Sequence, residues 1–180
     1  MLKNGLENRK GNNIMKQEDV KATEKEMKIL KNQKLSKIGR AAAMAWLIFG
    51  NTREKEYALH LQCSFRICKD NEIAIANLDM FEPTKAVEES PSFSWDTFNY
   101  DIQGINLYDE WAKKYNQDKE THVIVQDITV NAFGDLLIHC SQGLFIEVIV
   151  NDSMNECWRF FELTADEQHL VISGQGIMEE

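Results

Sequence analysis

Between Lys85 and Lys113 the chain carries no basic residue. That stretch therefore has nothing with which to hold a phosphate backbone, which binds through Lys and Arg. Long apolar runs are missing as well. The longest candidate, Ala41 to Phe49, falls well short of the roughly eighteen residues that a membrane span requires. It also lies too far into the chain for an export signal, so the cytoplasm is the expected location. The four cysteines (Cys63, Cys68, Cys140, Cys157) show no Cys-x-x-Cys spacing and are read as small apolar residues. No Gly-x-Ser-x-Gly elbow, Walker loop or His-Glu-x-x-His occurs. No cofactor is expected.

What is present suits a soluble domain. At 180 residues the chain can bury one real core and is short for two. Charge is segregated. Residues 1–40 hold eleven Lys/Arg against five Asp/Glu, a net of +6, whereas residues 41–180 hold nine against twenty-four, a net of −15. An acidic body of this kind repels nucleic acid and attracts a basic partner.

Residues 1–14 are polar, Asn-rich and without hydrophobic period. They are expected to be either a translated leader ahead of a start at Met15 or a disordered tail. Residues 15–35 read as a basic helical arm, with Val20, Met27 and Leu30 as a thin apolar stripe and Glu24 and Lys28 spaced for an i,i+4 pair. Residues 36–180 read as one α+β domain. Ser36 is placed to cap a helix over residues 37–49, apolar on every face and hence buried.

The period then changes. Tyr57, Leu59, Leu61, Cys63, Phe65 and Ile67 alternate with Ala58, His60, Gln62, Ser64 and Arg66, predicting one half-buried strand. Lys69-Asp70-Asn71 turns it into a second strand, Ile73 to Met80, which Pro83 ends. A short helix near Leu107–Tyr115 follows. Further strands are predicted at Val123–Val130, Leu136–Cys140, Leu144–Val150, Trp158–Leu163 and His169–Ser173, with turns at Phe133-Gly134-Asp135 and Ser141-Gln142-Gly143. The expected fold is an antiparallel meander of about six strands with the buried helix on one face.

Two constellations bear on function. The stretch without Lys or Arg packs six acids (Glu88, Glu89, Asp96, Asp101, Asp109, Glu110) among six aromatics (Phe93, Trp95, Phe98, Tyr100, Tyr108, Trp111). Ring faces and carboxylates both attract Lys and Arg. Trp95, Asp96, Phe98, Tyr100, Asp101 and Asp109 are the candidate partner-binding residues, and the competing reading makes Trp95, Phe98 and Trp111 plugs over an open sheet edge. The second constellation is the polar face His60, Gln62, Ser64, Arg66, which Glu147, Arg159 and His169 could join. It is either a small-molecule site, with Arg66 for a carboxylate and His60 as base, or an ordinary solvent face. No metal site is expected. His60 and Cys63 point to opposite faces of a strand, as do His139 and Cys140, and Asp79, Asp96, Asp101 and Asp109 fit no calcium loop.

The order "EYALHLQCSFRI", "IAIANLDMFEP", "SWD", "GINLYDEW" and "LFIEVIVNDSMNECWRFFE" resembles a family of small, uncharacterised bacterial α+β proteins over residues 37–176. That family is similar in size and layout to immunity proteins of bacterial toxin systems. The resemblance implies a non-enzymatic protein that binds and blocks a cognate toxin, and it brings no catalytic residues.

Overall fold

The computed structural model describes residues 15–52, 55–118, 122–165 and 169–178. The segment 1–14, expected as leader or tail, lies outside them. The chain is α+β, with an N-terminal helix and two antiparallel sheets. The first sheet runs in the order β1 (Leu35–Ala41), β2 (Met44–Thr52), β3 (Lys55–Leu61), β9 (Glu156–Glu162), β10 (Leu170–Ser173), β11 (Gly176–Ile177). The second runs β5 (Glu72–Ala76), β4 (Ser64–Lys69), β8 (Leu144–Ile149), β7 (Leu136–Cys140), β6 (Val125–Val130). The inner faces of both sheets share one hydrophobic core.

The run expected as a buried helix over residues 37–49 is instead the β1–β2 hairpin, with Ile38 opposite Leu47 and Ala41 opposite Met44. Ile38, Ala45, Leu47 and Phe49 point into the core, whereas Met44, Trp46 and Ile48 are half-buried on the other face. A strand covered on both faces loses its hydropathy alternation and reads like a buried helix. The turn offers no Gly or Asn to betray it. Ala42 itself takes the left-handed position, at φ 50°. Ser36 caps no helix; its hydroxyl donates to Ile48 O across the hairpin.

The single strand expected over Tyr57–Ile67 is cut at Gln62 and Cys63 into β3 and β4, which belong to different sheets. The strand expected to reach Met80 stops at Ala76, where the Asp79 carboxylate accepts from the Ala76 N–H and turns the chain into a 3₁₀ segment, Asn77–Phe81. The later turns lie where their sequences place them, with Gly134, Gln142 and Gly143 all at positive φ.

The basic arm is not a free extension. Its helix, α1 (Gln17–Met27), buries Thr23 and Met27 and packs along β6, with Met15 and Leu30 in the same core. The Glu24–Lys28 pair forms on its outer side. A short helix, α2 (Lys85–Glu88), and α3 (Leu107–Gln117) bracket the acidic-aromatic stretch. α3 covers the free edge of β1. The Asn116 amide bonds both Ile38 N and Ile38 O (2.9 and 2.8 Å), Tyr115 Oη donates to Leu35 O (2.9 Å) and Tyr108 Oη donates to Gly39 O (3.2 Å). Side chains here satisfy an edge that would otherwise offer itself to another chain.

Candidate functional site

The stretch from Glu89 to Asn106 contains no regular element. A loop of this length inside a packed domain is ordinarily functional or disordered. This one is tied down by a charge. Arg40, on the core side of β1, has a fully buried side chain, and its Nε and Nη2 grip Asp109 Oδ1 and Oδ2 at 2.8 and 2.7 Å. Its remaining donors reach Ala42 O, Tyr100 O and Ile102 O. Asp109 also accepts from Gly104 N–H at 2.7 Å. Asn106 caps α3 through Asp109 N–H and donates to Tyr100 O. One bidentate ion pair thus fixes the end of the loop to the first sheet.

Asp109 therefore departs from the other candidate partner-binding residues. It is turned inward and neutralised, because the buried Arg40 guanidinium needs a counter-charge. Arg40 falls within the helix expected over residues 37–49, an expectation that gives it no role. A signal for it existed: a six-acid stretch with no cation of its own needs one from elsewhere to bury any acid, and Arg40 stands alone between Gly39 and Ala41.

The other five remain at the surface. Phe93, Trp95 and Phe98 form a triangle of edge-to-face rings with centroids 5.3, 5.8 and 5.9 Å apart, a favoured aromatic geometry. Trp95 is 57% exposed, so it plugs nothing. Tyr108 and Tyr115 do the plugging, and Trp111 is half-buried, stacked on Tyr115. Tyr100 packs edge-on against Phe81 at 4.7 Å. Asp96 and Asp101 are exposed, and their backbone N–H groups are held by the Ser94 hydroxyl and the Asn99 side chain. Of the six acids, Asp109, Glu110 and Glu89 pair with Arg40, Lys114 and Lys85. Among the described residues, Glu88, Asp96 and Asp101 form no ion pair. Between α2 and the ring triangle opens a cavity of about 370 Å³.

The polar face expected from His60 to Arg66 divides with its strand. Arg66 lies on the second sheet and pairs with Glu147 across β8. Ser64 bonds Asn151. His60 lies on the first sheet opposite Arg159, and there the expected neighbours Arg159 and His169 do gather. Phe161 sits between the imidazoles, edge-on to His60 at 4.9 Å and stacked on His169 at 4.1 Å. Arg159 is gripped at two points by Glu156 and reaches His169 Nδ1 at 3.2 Å. Burial, then the Arg159 charge, lowers the His60 pKa below the ordinary imidazole value. Hydrogen bonding from Arg159 holds Glu156 below the usual carboxylate range. Among the described residues no hydroxyl or thiol hydrogen-bonds either imidazole.

Burial raises the thiol pKa of Cys63, and lifts that of Cys140 to about 12; all four cysteines are buried and free. Among the described residues no group of three or more His, Cys, Asp or Glu could hold a metal ion, and no helix is long and apolar enough to cross a membrane. No protein-family model matches the chain, and no match to it was found among curated proteins or solved structures.

Proposed function

We propose that this chain is a non-enzymatic, cytoplasmic protein-interaction module, immunity-like in kind, that binds a basic protein through Trp95, Asp96, Phe98, Tyr100 and Asp101. The observation that carries the reading is the exposed Trp95, backed by Phe93 and Phe98 and flanked by uncompensated carboxylates, on a loop fixed to the first sheet by Arg40 and Asp109. Exposed aromatics supply desolvated anchors, and unpaired acids steer a cation to them. Arg40 and Asp109 act as positioning residues, because they order the loop before binding and so reduce the entropy lost on association.

The alternative, a small-molecule site at His60 and Arg66, is disfavoured by two features. These residues stand on different sheets, and the nearby guanidiniums of Arg66 and Arg159 are already neutralised by Glu147 and Glu156.

Affinity capture from native cells with mass spectrometry tests the proposal. Wild-type bait should retain a basic protein that an Asp96→Lys, Asp101→Lys bait loses. Equal retention by both baits, or an acidic captured partner, overturns it.

A further inference from the structure

The cavity beside the ring triangle has a composition that selects its occupant. Val87, Phe93, Phe98, Ile102 and Ile105 give it apolar walls, and Ala86 stands at its exposed margin on α2. The acids alternate with these lining residues along the chain. Glu88 and Glu89 follow Val87, Asp96 precedes Thr97, and Asp101 precedes Ile102; all four acids are exposed. The hydroxyls of the lining are partly spent at home, Ser90 on Ser92 and Thr97 on Ser94 O. The site thus combines apolar walls with a polar remainder of Ser90, Ser92, Ser94, Thr97 and Asn99, and exposed acids adjoin its lining residues along the chain.

We infer that the cavity receives one large aliphatic or aromatic side chain from a short basic segment of a protein, with Lys or Arg on both sides of that residue. This inference rests on the proposed function and adds the recognition element. The occupant follows from charge and shape together. An apolar side chain entering a preformed recess loses water on both partners, while Lys or Arg on either side meets Asp96 and Asp101 or the unpaired Glu88. Phosphate-bearing ligands are repelled by the same acids. At about 370 Å³ the space exceeds what a methyl or an isopropyl group fills, so a residue the size of Leu or larger matches it best.

A random twelve-residue peptide library displayed on phage is the probe, selected against wild type at low salt. The expected consensus holds one Leu, Ile, Met, Phe or Trp with Lys or Arg within two positions on each side. The best peptide, made synthetically, should bind about thirtyfold more weakly once its apolar residue is replaced by Ala. It should lose a similar factor against Ala86→Trp, which fills the cavity from an exposed position. Thr97→Trp, also exposed, fills it from the opposite wall and guards against a local failure to fold. Asp96→Lys with Asp101→Lys reads the charge separately.

Basic peptides without an apolar position, bound equally by wild type and both filled variants, sink the cavity inference and leave the proposed function standing. Acidic or neutral consensus peptides, or no enrichment, sink both. A second copy of this chain is the remaining occupant, since residues 1–40 are basic. Sedimentation of the protein alone would reveal it as a salt-sensitive dimer that Ala86→Trp dissolves, which also overturns the inference.

Discussion

The acidic-aromatic loop and the His60 face of the first sheet hold similar side chains and put them to opposite use. On the sheet, Arg159 meets Glu156 and Phe161 separates two imidazoles. On the loop, three acids pair inward or along a helix, while Glu88, Asp96 and Asp101 are left to water beside exposed rings. The lesson is that polarity alone marks neither as a site. A charge already neutralised by its own fold has little left to offer a ligand, whereas an uncompensated one beside apolar area does.

The largest effect is expected at Arg40. If its ion pair anchors the loop, Arg40→Ala should cost about 3–5 kcal/mol, since it strands a buried carboxylate. Urea unfolding should register that cost, and the melting temperature should fall by roughly 2–4 °C per kcal/mol. Replacing both partners, Arg40→Met with Asp109→Leu, should recover much of the stability because no charge is then stranded. Arg159→Ala on the sheet, where the guanidinium is part-exposed, should cost much less. Equal losses would erase the distinction between the regions.

Binding sharpens it next. Trp95→Ala should weaken the captured partner by on the order of 2 kcal/mol, chiefly through faster dissociation. Its folding stability should move by no more than about 0.5 kcal/mol, as for other exposed positions. Charge reversal at Asp96 and Asp101 should instead slow association, an effect that vanishes in high salt as the Debye length shrinks from about 8 Å to about 3 Å. A plugging Trp95 would show the reverse pattern, with a lowered melting temperature and unchanged kinetics.

A smaller effect belongs to the hairpin that carries Arg40. Ala42 sits at φ 50°, where an L side chain is strained, so Ala42→Gly should stabilise by up to about 1 kcal/mol despite the entropy glycine adds to the unfolded chain. Thermal melts decide it, and a loss of stability would count against the left-handed turn.

The smallest effect concerns pH on the sheet face. His60 has its folded pKa below the ordinary 6.5, so the unfolded chain binds the proton first. Its contribution to stability is complete above that value and is lost as pH falls through it towards the folded pKa. Glu156, also depressed, loses its contribution at lower pH, below its ordinary 4.5. His60→Gln should therefore flatten the fall in stability that begins as pH drops through the ordinary 6.5 and leave the limb below 4.5 intact. A profile that stays as steep would show that His60 is not desolvated in the folded state.

Much of this molecule was legible before its fold. The four strands between Leu136 and Ser173, the helix beginning at Leu107 and the turns at Gly134 and Gly143 were readable from local pattern, because neighbours in sequence impose them, whereas β11 (Gly176–Ile177) was not expected. Segregation of charge into +6 over residues 1–40 and −15 over residues 41–180 is likewise a property of the chain itself, and so is the coincidence of rings and acids after Lys85. The tertiary structure decided what depends on covering and closure. Residues 37–49 became a hairpin because both its faces are covered, and no local pattern records that. Gln62 and Cys63 became a crossing between sheets because each half of the alternating run found different neighbours. Asp109 was separated from Asp96 and Asp101 by a guanidinium distant in sequence. A buried charge chooses its partner through space, and only the folded chain brings Arg40 within 2.7 Å of it.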